Sequence, residues 1–140
     1  MRIILITQNE PFYLAKNLKY LYSILPKNSK IISAIISNPN VYGRKEFFIK
    51  KALRTFNIFG LKFFLYYSFL YIRNKLSKKY DVIETLKELK IKPISLKKPI
   101  NNKISLDLIR AEKPDIIISI LGNEIFKKEL IELAPKGILN

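Results

Sequence analysis

Four short runs of mostly β-branched aliphatic residues constrain this chain more than any other feature: RIILIT at 2–7, KIISAIIS at 30–37, IKPISL at 91–96 and DIIISI at 115–120. They lack the polar alternation of a strand with one wet face. A continuous aliphatic run of this length fits a strand buried on both sides, as parallel sheets covered by helices require. The segments between the runs are far too long for hairpin turns and carry helical spacing. The expected fold class is therefore α/β, with four parallel strands joined by right-handed crossovers and a ligand crevice at the carboxyl ends of the strands. Candidate contacts lie in the loops at 8–13, 38–43 and 120–124.

The connecting segments carry their own signals. Phe12, Leu14, Leu18, Leu21 and Leu25 recur at three- and four-residue spacing, and Pro26 with Asn28 ends that helix. Between Lys79 and Leu89, a second helix sets Val82, Ile83, Leu86 and Leu89 on one face and Glu84 with Glu88 on the solvated one. Pro93 assigns 91–96 to a sheet edge. Leu106, Ile109 and Ala111 predict a brief helix with Ser105 as its cap. After the fourth run, Gly122 and Asn123 break the pattern. Asn123 is expected to cap a helix with Glu124 in its first turn, and Pro135 with Gly137 closes it. Gly137 to Asn140 then begins another strand.

Composition excludes whole classes of chemistry. The 140 residues fit a single domain, 1–140, and contain neither cysteine nor histidine. Disulfides, thiolate metal sites, cysteine nucleophiles and imidazole general bases are thereby removed from this chain. The four glycines, at 43, 60, 122 and 137, cannot form a dinucleotide fingerprint or a phosphate-binding loop. The opening MRIILITQNEPF has too short an apolar run for a secretion signal, so the expected location is cytoplasmic, with membrane-peripheral association open. A net charge of +15 allows phosphate binding. It also fits lysines spread over every solvated face by a coding sequence biased toward Lys, Ile and Asn.

The unusual stretch is an insertion at about 42–79. Between Arg44 and Lys79 stand ten Lys and Arg against the single acidic Glu46, and Ile58 to Ile72 reads IFGLKFFLYYSFLYI. With no proline, helix is the expectation. Three readings stay open: aromatics packed over the sheet with basic residues at the rim, an amphipathic helix on an anionic membrane through 47–76, or contact with nucleic acid. The apolar run is shorter than the roughly 20 residues that a spanning helix needs.

One resemblance covers the whole chain. KPDIIIS, a small loop, a helix ending in a Leu/Pro/Gly turn and then GILN resembles the N-terminal domain of the folate-dependent formyltransferases, which include methionyl-tRNA formyltransferase and sugar N-formyltransferases. The turn Asn9-Glu10-Pro11-Phe12-Tyr13 is similar to a Pro-Phe-Tyr turn in one branch of that group. The resemblance implies a three-layer Rossmann-like parallel sheet in the order third, second, first, fourth strand. It implies formyl transfer from 10-formyltetrahydrofolate to an amine, either an amino sugar or an aminoacyl-tRNA. Asn140 matches the Asn of the family's catalytic Asn-x-His. The pterin-holding loop corresponds to Ile120, Leu121, Gly122, Asn123 and Ile125. The family's catalytic His and Asp have no counterpart here. The resemblance therefore implies a truncated or split N-terminal domain that is inactive alone, incomplete on its C-terminal side, and prone to self-association at an open edge until a C-terminal half or Ile117→Lys relieves it. Two rivals stand beside it: a basic interaction module for membrane or nucleic acid on an α/β scaffold, and the acceptor half of a two-domain glycosyltransferase.

Overall fold

The computed structural model describes residues 1–37, 47–122 and 124–140, with Phe48 described by its backbone only. Five strands form one sheet: β1 (Arg2–Thr7), β2 (Lys30–Ile36), β3 (Lys92–Ser95), β4 (Ile116–Ser119) and β5 (Ile138–Leu139). They lie in the order β3-β2-β1-β4-β5, and every pairing is parallel. The expected order of the first four strands is the observed one, and the Pro93 strand lies at an edge. Flanked by helices on both faces, this is a Rossmann-like α/β fold.

The lack of polar alternation has its explanation in two cores. Ile3 and Leu5 point into one, with Ile31, Ala34, Leu14 and Leu18 of α1 (Leu14–Ile24), and Val82 and Leu86 of α3 (Val82–Glu88). Ile4 and Ile6 point into the other. They meet Ile35, Ile117, Ile109 of α4 (Lys103–Ala111) and Leu130 of α5 (Lys128–Ile131). Burying an Ile or Leu side chain contributes about 1.5–3 kcal/mol, and the central strand contributes such residues to both cores. Ile117 is fully buried in the second core. Ile117→Lys would thus place a charge in the interior rather than relieve an edge, which corrects that expectation.

Helix ends are capped by residues that the sequence pattern assigned otherwise. Asn102, not Ser105, caps α4 by accepting from the Ile104 N–H at 3.1 Å. Ser105 is buried inside the helix and donates to the Lys98 carbonyl at 3.2 Å. After β4, the helix expected from Glu124 onward shrinks to Lys128–Ile131, while Asn123 lies outside the described residues. The reason is tertiary. The Glu124 carboxylate accepts from the Ile100 N–H, and the Asn101 amide donates to the Ile125 carbonyl and accepts from the Lys127 N–H. These bonds hold 124–127 as a loop against 99–102. Glu84 and Glu88 are on the solvated face as expected, paired with Lys87 and Lys19.

The insertion is helical over α2 (Phe48–Leu76), but Gly60, at φ 76° and ψ 176°, splits it into two arms. That backbone suits glycine alone. The aromatics do not cover the sheet. Both faces are already occupied by α1 with α3 and by α4 with α5, and α2 stands beside the body, joined to it near Phe12 and the buried Asn74. Rings pack mainly on one another, Phe56 edge-on to Phe64 and Phe59 against Phe63. Among the described residues, no helix is long and apolar enough to cross a membrane.

Candidate functional site

Connections leave the sheet in opposite directions from β1 and β4, the two neighbours at which the strand order reverses, so their carboxyl ends frame a crevice. Two loops supply it: 8–13 after β1 and 120–127 after β4. The loop at 38–43, the third candidate, lies outside the described residues.

The β4 loop has unusual backbone. Ile120 extends the ladder by one bond, its N–H donating to the Ile6 carbonyl at 2.8 Å. Leu121 then turns left-handed at φ 61°, which for a residue with a Cβ costs about 1–2 kcal/mol. Gly122 follows in a close fit: a Cβ there would lie 2.4 Å from Ser119 Oγ and 3.1 Å from the Phe126 ring, so a neighbouring side chain would have to move. The consequence is that Leu121 and Ile125 both project into solvent, 49% and 69% exposed, from a loop tethered through Glu124, Asn101 and Lys127. Asn123 of the same expected set is outside the described residues. Asn140 is exposed and follows the Ile118–Leu139 pair by one residue, which sets it at the same carboxyl end. The fold therefore gathers the described members of the expected site, Ile120, Leu121, Gly122, Ile125 and Asn140, at one end of the sheet.

Two buried hydroxyls mark the same strands. Thr7 Oγ1 at the end of β1 and Ser119 Oγ at the end of β4 have no hydrogen-bond partner among the described residues, as does Ser33 Oγ in β2. Leaving a buried polar group unpaired costs about 1–3 kcal/mol.

The β1 loop is more structural than its sequence suggested. Glu10 carboxylate oxygens accept from the N–H groups of Phe12, Tyr13 and Leu14 at 2.7, 3.0 and 3.2 Å, capping the start of α1. Asn9 Oδ1 accepts from the Val82 N–H at 3.2 Å, and Asp81 caps the same helix through the N–H groups of Ile83 and Glu84. Both turn side chains are thus spent on helix ends. Phe12 instead stacks on Tyr67 with centroids 4.6 Å apart, which ties α2 to the body.

Beside this stack lies a cleft of about 200 Å³, lined in part by Asn9, Pro11, Tyr71, Asn74, Lys75 and Asp81. Sequence reasoning missed it. The 71, 74, 75 spacing does place three polar groups on one helical face, a signal that was present but pointed nowhere without Asn9 and Asp81. Lys75 Nζ sits 5.6 Å over the Tyr71 ring, and Asn74 Oδ1 accepts from the Arg73 guanidinium. Burial pushes the Tyr67 hydroxyl up from its ordinary 10.0, and the nearby Glu10 carboxylate adds to the rise. Among the described residues, no group of three or more His, Cys, Asp or Glu could hold a metal ion. No protein-family model matches this chain, and no curated protein is significantly similar to it.

Proposed function

We propose that this chain carries the folate-binding half of a formyltransferase-type site, taking 10-formyltetrahydrofolate at the carboxyl ends of β1 and β4. The observation that carries the reading is the loop after β4. A left-handed Leu121 turns the backbone at the strand reversal, and Gly122 follows so close to Ser119 that an added Cβ would displace a neighbouring side chain. Strain of this kind persists where the surroundings impose it, and it concentrates at ligand sites. Leu121 and Ile125 offer apolar contact to a flat ring, and the loop backbone offers the donors and acceptors that a pterin edge requires. The unpaired Ser119 hydroxyl lies beneath the same loop.

The chemistry assigned to the chain is partial. Transfer of a formyl group to an amine needs a donor to the developing oxyanion and a base for the amine proton. The amide of Asn140 is the candidate oxyanion donor. The resemblance gives the base as a histidine, and with none in the 140 residues this reading draws it from outside them. The acceptor is an amine of either class named above, an amino sugar or an aminoacyl-tRNA.

Calorimetric titration of the chain with 5-formyltetrahydrofolate, a stable stand-in for the 10-formyl donor, tests the proposal. Saturable binding is expected, lost in Gly122→Val because the added side chain must displace Ser119 or Phe126, with far-UV circular dichroism unchanged. The chain alone should transfer no formyl group from 10-formyltetrahydrofolate above the uncatalysed rate. A titration without binding heat, or binding indifferent to Gly122→Val, rejects the assignment.

A further inference from the structure

We propose that the second arm of α2 docks on the surface of an anionic lipid bilayer, lying in the interface through an outward stripe of Leu61, Leu65, Phe69, Ile72 and Leu76. The stripe follows from helical spacing of 4, 4, 3 and 4 residues, which keeps side chains on one face. All five are 58–82% exposed. The opposite face of the arm carries Phe64, Tyr67, Tyr71 and Asn74, which make the contacts to the first arm and to the body. Over 15 residue steps at about 1.5 Å each the stripe runs for about 22 Å, and the arm packs against the protein with its other side only. Such a contiguous exposed apolar face marks an interaction surface.

Charge selects the occupant. α2 contains Lys50, Lys51, Arg54, Lys62, Arg73 and Lys75 and no Asp or Glu, within a chain of net charge +15. A second copy seated on this face would bring two such helices together. An anionic headgroup layer neutralises them instead. Lys62 and Arg73 lie beside the stripe on the helical wheel, with Tyr66 next to them, which is the arrangement of a helix that buries its apolar face just below the headgroups while its cations reach up to them. Contact with nucleic acid would use the cations and leave the five apolar side chains in water. Among the described residues, no helix is long and apolar enough to span.

Flotation of the intact chain with vesicles of phosphatidylcholine, with and without phosphatidylglycerol, tests this docking directly. Binding is expected to the anionic vesicles at least about tenfold tighter than to neutral ones, falling about fivefold for each of Lys62→Gln and Arg73→Gln. Leu65→Asp with Phe69→Asp should abolish it; both positions are exposed, so the melting temperature should hold. The chain has no tryptophan, so Phe69→Trp adds a single reporter whose emission should shift to the blue on anionic vesicles. Three results would overturn the proposal: equal binding to both vesicles or to neither, an unshifted reporter, or a dimer or oligonucleotide complex that Leu65→Asp/Phe69→Asp disrupts while vesicles go unbound.

Discussion

The strand β1 and the second arm of α2 are both dense in large apolar residues, yet they occupy opposite environments. Ile3 to Ile6 are no more than 1% exposed, whereas Leu65 and Phe69 are 59% and 66% exposed. The difference lies in what each has to pack against. β1 is bonded to a strand on either side and covered by helices on both faces, so each of its side chains meets a partner layer. α2 enters a molecule whose sheet faces are already filled, and it keeps one side for the body and one for water. Apolar content is therefore a measure of folding stability in the first region and of exposed apolar surface in the second.

Truncation at matched positions gives the largest test of that contrast. Ile4→Ala should destabilise the chain by about 2–5 kcal/mol in denaturant melts, because it opens a cavity in a closed core. Phe69→Ser should stay within about 0.5 kcal/mol of the parent, as surface changes do. Equal losses would mean that α2 is buried in solution and the comparison is wrong.

Caps should give an intermediate effect that sharpens the boundary between the regions. Glu10→Ala removes an acceptor shared by three N–H groups, and Asn9→Ala removes the link to α3. Each should cost about 0.5–2 kcal/mol in thermal stability while leaving vesicle binding through α2 unchanged. A variant that loses vesicle binding in proportion to stability would show that α2 and the sheet unfold as one unit.

The smallest effect is a pH dependence at their junction. Burial and Glu10 raise the Tyr67 pKa in the folded state, so folding favours the neutral phenol. That contribution is complete below the unfolded value of about 10 and is lost as pH rises through the higher folded value. Melting temperatures across the tyrosine titration range should fall less steeply for Tyr67→Phe, which keeps the ring on Phe12, than for the parent. Identical slopes would detach Tyr67 from the junction.

Much of this architecture was legible in local pattern. Unalternated aliphatic runs determined four parallel strands, of which β3 departs from the expected two-sided burial because at the sheet edge Lys92, Pro93 and Ser95 stay exposed; Pro93 determined that edge, and the apolar spacing at 14, 18, 82 and 86 determined which helical faces are covered. Those signals work because period and side-chain branching act within a few residues. The site was legible only as a location, the loops at the carboxyl ends of the strands. Its details depend on partners far along the chain: Asn9 bonds Val82 across 73 positions, and Glu124 bonds Ile100 across 24, which holds 124–127 as a loop where the sequence pattern expects helix. Likewise, no local period says whether an aromatic helix will find a free sheet face. That was decided when α1, α3, α4 and α5 covered both sides, since each face of a sheet holds only one layer of helices and the outer arm of α2 was left with its apolar stripe in solvent.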